Sequence, residues 1–124
     1  MIEVVVVERD RALGRLYQEE LSEAGFDVRV RRGVREACAC LRSQPAHILV
    51  TDLNSVEGSL SGGLADLREV HRGPLFLLGP AKARRDLPSS DLPLIDKSSD
   101  LSGLICHLRG RSLGVMWSKA AAAA

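Results

Sequence analysis

The sequence has few aromatic side chains: Tyr17, Phe26, Phe76 and Trp117 among 124 residues. That argues against the stacking platforms that hold single-stranded nucleic acid and leaves the core to aliphatic groups. No apolar run approaches the 18 residues that a membrane span needs. Met1 leads directly into Ile2-Glu3-Val4, with no basic segment or cleavage site before it, so no secretory signal is read. Cysteine is scarce and odd in number, at 38, 40 and 106. A chain this long buries about two-thirds of its unfolded surface and needs no staples, so free thiols in a reducing cytosol are expected. Excess charge is missing too. Seventeen Lys and Arg face sixteen Asp and Glu, for a net +1, which speaks against a strongly basic nucleic-acid module and an acidic disordered tail.

What is present is alternation. Val4-Val5-Val6-Val7 is a β-branched run suited to a strand covered on both faces. Leu13, Leu16, Tyr17, Leu21 and Ala24 form a helical stripe, with Asp10 placed as its N-cap and Gly25 to end it. Phe26, Val28 and Val30 alternate with charged residues as a half-exposed strand. Val34, Ala37, Cys38 and Leu41 make a second helix. Strands follow at Ile48–Val50, Leu75–Leu78 and Leu92–Ile95, the last holding Pro93 and therefore placed at an edge. A Ser/Gly-rich loop is expected from Ser55 to Gly63, then a helix through Leu64, Leu67 and Val70. A short helix at most is expected within 81–91, and a final one carries Leu101, Leu104, Ile105 and Leu108. This order predicts an α/β fold, a doubly wound five-stranded parallel sheet of order 2-1-3-4-5, over residues 1–110. Residues 111–124 are expected to be a tail or linker, and the closing alanines an appended one.

In such a sheet the site lies at the carboxyl ends of the strands. Glu8, Arg9 and Asp10 follow strand 1, Asp52 and Asn54 end strand 3, and Lys97 follows strand 5. Crowded carboxylates need a cation. Hard oxygens suit Mg²⁺, and Mg²⁺ beside a lysine is a way to neutralise a phosphoryl group in transfer. The plainer reading is a set of solvated strand-end charges.

Taken in order, Val-Val-Val-Val-Glu-Arg-Asp at 4–10, Gly25-Phe26-Asp27-Val28, Ile48 through Asn54, and Ile95-Asp96-Lys97 resemble the receiver domain of bacterial two-component signalling, over about residues 2–109. The resemblance implies a flavodoxin-like receiver fold with a shortened fourth helix. It implies Asp52 as phosphoacceptor, Lys97 as the phosphoryl clamp, and Mg²⁺ on Glu8, Asp52 and the Asn54 backbone carbonyl, with Asp10 as a further ligand if the backbone shifts by a residue. The partner implied is a histidine kinase or another signalling protein, in the cytoplasm. The module is not expected to be an enzyme beyond its own phosphorylation.

The departures are specific. Arg9 stands where the second acidic residue is expected, and a guanidinium cannot ligate a metal. Gly79 replaces the switching hydroxyl, Pro80 its small neighbour, Leu94 the switching aromatic, and Ser98 the proline after the lysine. Two readings follow. One is an atypical receiver phosphorylated on Asp52. The other is a phosphorylation-independent pseudo-receiver that binds proteins, with Arg9 paired to Asp52 in place of the metal. A flavin or nucleotide in a flavodoxin-like cleft is third.

Weaker signals carry less. Cys38 and Cys40 lie about 200° apart around a helix, which does not suit zinc. Arg29, Arg31, Arg32, Arg35 and Arg42 form a basic cluster, usually just solvated, so direct nucleic-acid binding is not expected. Leu113, Val115, Met116 and Trp117 read as a linker start or a homodimer contact.

Overall fold

The computed structural model describes residues 1–89, 91–97 and 101–114, with side chains through residue 110. Ser98, the Val115–Trp117 patch and the closing alanines lie outside the described residues, as do the side chains of 111–114.

β1 (Glu3–Val7) is buried at every position, as a run of valines without polar alternation requires. It pairs in parallel with β2 (Asp27–Arg31) and β3 (Ile48–Asp52). β4 (Leu75–Leu78) and β5 (Leu94–Ile95) extend the sheet to the order β2-β1-β3-β4-β5, all parallel. Side chains alternate across this sheet and split the core in two. Val5, Val7, Leu49, Leu75 and Leu77 face α2 (Val34–Ser43) and α3 (Leu60–Val70). Val4, Val6, Ile48, Val50, Phe76 and Leu78 face α1 (Arg11–Glu23) and α4 (Ser102–Gly114).

Capping sets the helix starts. The Asp10 side chain accepts from the Leu13 amide at 3.0 Å and opens α1. Gly25, at φ 100°, turns the chain into β2. Ser59 accepts from the Gly62 amide at 3.1 Å and opens α3. The expected loop from Ser55 to Gly63 is therefore shorter, because Ser59 caps a helix that absorbs Gly62 and Gly63. β5 is also shorter than the apolar run suggested. Pro93 has no amide to donate, and only its carbonyl joins the sheet, accepting from Leu77 at 2.8 Å. The short helix between β4 and β5 is a 3₁₀ helix, Ala81–Asp86. At the other end α4 continues past residue 110 into the stretch expected as a tail.

Candidate functional site

The register places the site. Val4 lies opposite Ile48, Val6 opposite Val50 and Val7 opposite Thr51, so the next residue of β1, Glu8, arrives beside Asp52. Both side chains project to the α1/α4 side, where Lys97 comes in from beyond β5. The Lys97 ammonium lies 2.9 Å from Glu8 Oε1 and 2.8 Å from Asp52 Oδ1. Among the described residues those two oxygens meet no neutral donor; the ammonium satisfies them. Glu8 and Asp52 are each 1% exposed, so their charges are held mainly by protein. Burial works against the charge on Lys97, but the hydrogen bonds and fields of Asp52 and Glu8 outweigh it and hold its pKa above the ordinary lysine value. Tyr17, buried on α1, is pushed up to about 12 by burial first and then by the Glu8 charge, with Lys97 opposing and Asp52 adding.

The remaining carboxylate oxygens are taken by Ser55. Its hydroxyl donates to Asp52 Oδ2 at 2.7 Å, and its oxygen accepts from the Arg9 amide at 2.8 Å. Glu8 Oε2 sits 3.4 Å from the same hydroxyl and accepts from the Asp10 amide at 3.0 Å. Sequence reading placed Ser55 only in a loop. The signal that finds it is local. Leu53–Ser55 is a 3₁₀ turn with Asp52 as its N-cap, and residues three apart eclipse in that geometry, so the third residue after Asp52 folds back onto it. Thr51 points to the other face, and its buried Oγ1 has no hydrogen-bond partner among the described residues.

Two sequence expectations are corrected. Asp10 does not join the pocket: its carboxylate is exposed and committed to the α1 amide of Leu13. The cluster therefore holds two carboxylates rather than three, and among the described residues no three His, Cys, Asp or Glu side chains form a metal-holding group. The Arg9–Asp52 ion pair is not made. Arg9 is exposed, contributes its amide to Ser55, and leaves Asp52 to Lys97. The reason is the alternation of β1, which turns Glu8 inward and so sends Arg9 away.

The other expected positions fall as follows. Asn54 lies in the turn after Asp52 with its side chain exposed. Gly79 is buried at the end of β4, and a Cβ there would meet Leu53 Cδ1 at 2.9 Å. Pro80 is exposed ahead of the 3₁₀ helix. Leu94 pairs with Leu77 and packs on the α2/α3 core. In the basic cluster, Arg29 is structural: its guanidinium donates to the Gln44 carbonyl at 2.8 Å at the end of α2 and to Cys40 Sγ at 3.2 Å. Cys38 is buried, Cys40 half-buried and Cys106 exposed, all as free thiols. No described helix is long and apolar enough to cross a membrane.

By sequence, no family model and no curated protein matches the chain. By structure, it is similar to the receiver domain of the TMAO respiratory system response regulator TorR, with a TM-score of 0.81 at 16% identity, over 94% of this chain and 100% of that one. The fold is that of response-regulator receiver domains. Two further receivers agree. Response regulator TrrA of Thermotoga maritima, in complex with Mg²⁺-BeF, gives 0.78 at 21% identity, over 89% of this chain and 98% of that one. The BeF₃-activated N-terminal receiver domain of Klebsiella pneumoniae RstA gives 0.73 at 22% identity, over 86% and 95%. The receiver fold puts Glu8, Asp52 and Lys97 at its strand ends.

The donors present fit Mg²⁺ in kind. The ion is commonly held by one or two carboxylates together with waters and phosphate oxygens, and Glu8 and Asp52 supply two carboxylates whose Oε1 and Oδ1 meet only a cation among the described residues.

Proposed function

We propose that the chain is an atypical receiver module of a two-component or phosphorelay pathway, with Asp52 as its phosphoacceptor. The observation that supports this most directly is the buried Asp52 carboxylate joined to Glu8 through one ammonium, Lys97. In the transfer, an Asp52 oxygen attacks the phosphorus of a phosphohistidine on the donor. The O–P bond forms as the P–N bond breaks, and the imidazole leaves with the electron pair. Lys97 then sits where negative charge gathers on the phosphoryl oxygens. Ser55 holds the other Asp52 oxygen, which fixes the rotation of the carboxylate. Mg²⁺, held by Glu8, Asp52 and the Asn54 carbonyl, would supply further charge neutralisation. The module receives a signal and does not turn over a substrate; its partners are a histidine kinase or another signalling protein, and its setting is the bacterial cytoplasm.

A second reading is favoured by Arg9 and by the closure of the pocket. A guanidinium stands next in sequence to Glu8, and all four oxygens of Glu8 and Asp52 already face donors of the chain itself. On this reading the module binds its partner without phosphorylation.

Incubation with acetyl phosphate and Mg²⁺, followed by intact-mass measurement, separates the two. A single phosphoryl adduct that vanishes in Asp52→Asn is expected. No adduct, together with no Mg²⁺ heat by titration calorimetry, would leave the pseudo-receiver reading.

A further inference from the structure

The segment after Asp52 is fastened at Leu53, Ser55, Val56 and Glu57, and three glycines make the fastening possible. Leu53 lies over Gly79, where a Cβ would stand 2.9 Å from its Cδ1. Ser55 bonds Asp52 on one side and the Arg9 amide on the other. Val56 occupies the space against Gly63 that a Cβ would fill. Glu57 reaches across to α2, whose N-cap, Gly33, has no side chain of its own. The Glu57 carboxylate accepts from the Val34 amide at 2.5 Å and lies 3.5 Å from the Arg35 amide. A Cβ on Gly33 would stand 2.7 Å from that carboxylate. Five consecutive residues thus join the acidic pocket to the first turn of a helix on the opposite face of the sheet.

We propose that Ser55 reads the state of Asp52 and that residues 53–57 carry it, as a strap, to the N-terminus of α2. The proposal builds on Asp52 as the responsive group, and it answers a gap in the fold. The end of β4 offers no hydroxyl, because Gly79 is there and Leu53 fills the space above it. Ser55 is the hydroxyl that touches Asp52 instead. It has one proton to give, and it gives it to Oδ2. Transfer to Oδ1 leaves Oδ2 as the uncharged carbonyl oxygen of an acyl phosphate, a weaker acceptor than a carboxylate, so the hydroxyl loosens from it, and the Arg9 amide and the following residues feel the change. Val56 cannot slide independently against Gly63, so the displacement reaches Glu57 and loosens its hold on α2. Ser55 is a positioning residue in this scheme, and the first turn of α2 is the surface whose order changes.

The test needs no phosphoryl transfer. In Asp52→Asn, Lys97 requires an acceptor and claims the one carbonyl oxygen, which leaves the amide NH₂ against Ser55. Amide hydrogen exchange at Val34 and Arg35 should then rise about five- to tenfold, as expected when a helix cap loosens. Ser55→Ala should produce the same rise, and the double variant no more than either single one, because both cut the same link. Amides of β4 should not respond. Unchanged exchange at Val34, additive effects, or a response confined to β4 and β5 overturns the proposal. Glu57→Gln cuts the strap at its far end and covers the case in which Ser55→Ala does not fold. It should speed exchange of the Arg9 amide, which is bonded to Ser55, and an unaltered Arg9 overturns the proposal as well. A missing acetyl-phosphate adduct would remove phosphorylation from the account and leave the coupling result standing.

Discussion

One ammonium holds two buried carboxylates, and its surroundings extend to the only tyrosine of the chain. Tyr17 is buried near Glu8 and Asp52, and burial together with those charges raises its pKa to about 12. Because no other tyrosine contributes, phenolate absorbance in an alkaline titration reports this site alone. The expected midpoint is near 12 in the folded protein; a midpoint near the ordinary value of 10 would mean that Tyr17 is not buried beside the carboxylates. Lys97→Met should move that midpoint further up, since the lysine is the one nearby group that lowers it. Glu8, Asp52 and Lys97 were legible as a group in the sequence, because parallel strands bring their carboxyl ends to one rim and these residues terminate three of them. Asp10 was legible twice, as a helix cap and as a pocket carboxylate. A single carboxylate serves one amide or the other site, and the cap takes it. Ser55 was not legible because its placement depends on a 3₁₀ turn, and Ser-Val-Glu-Gly carries no periodicity that announces one.

At the scale of elements, helix starts govern what surrounds the pocket. α1 and α3 are capped from within by Asp10 and Ser59, each the residue just before its helix. α2 borrows its cap from 23 residues downstream, and no pattern in the sequence around Gly33 reveals it. The φ of Gly33 is −163°, ordinary extended backbone, so the demand for glycine there is spatial. Gly33→Ala should push the Glu57 carboxylate off the Val34 amide and lower stability by about 0.5–1 kcal/mol in urea unfolding. That is the lower part of the range for a lost cap, since Glu57 is exposed and screened by water. Burial alone would raise the pKa of Glu57, but the Val34 amide, its own amide, the Arg35 amide and the Arg35 charge together outweigh it and hold the carboxyl below its ordinary value. Its contribution is therefore present above the ordinary carboxylate pKa and is lost as pH falls through the lowered one. β5 shows the opposite balance. Four apolar residues suggested a strand, but a proline among them left two paired residues, enough to deliver Lys97 and little else.

For the whole molecule, stability is bounded from both sides of neutral pH by groups on opposite halves of the fold. His71, at the end of α3, is 1% exposed and bonds the Pro74 carbonyl through Nε2 at 2.9 Å. Burial first, and the Arg68 charge with it, lowers its pKa, against the pull of the Pro74 bond. The unfolded chain therefore takes up a proton before the folded one. Stability is present above about pH 6.5 and declines as pH falls below that value through the lowered folded pKa. Unfolding midpoints should drop between pH 7 and 5, and His71→Gln should flatten that slope. On the alkaline side Lys97 and Tyr17 both have raised pKa values, so their contributions persist below about pH 10 and fade as pH rises through the folded values. The sheet order and the two-sided core were readable from alternation alone, since five short apolar runs separated by helical stripes admit few parallel arrangements.

The close fit of Leu53 over Gly79 leaves no free space for a side chain at the end of β4. Placing a hydroxyl at the end of β4 by Gly79→Thr alone drives a side chain into Leu53 and should cost about 1–3 kcal/mol from overpacking. Combined with Leu53→Ala, which clears the space, the loss should be smaller than the sum of the two single losses in a double-mutant cycle. Strict additivity would show that the two positions do not compete. If they do, a side chain at position 79 is accommodated only when position 53 changes with it, each change being harmful alone. The contact then acts as an interlock: neither position can be redesigned without the other.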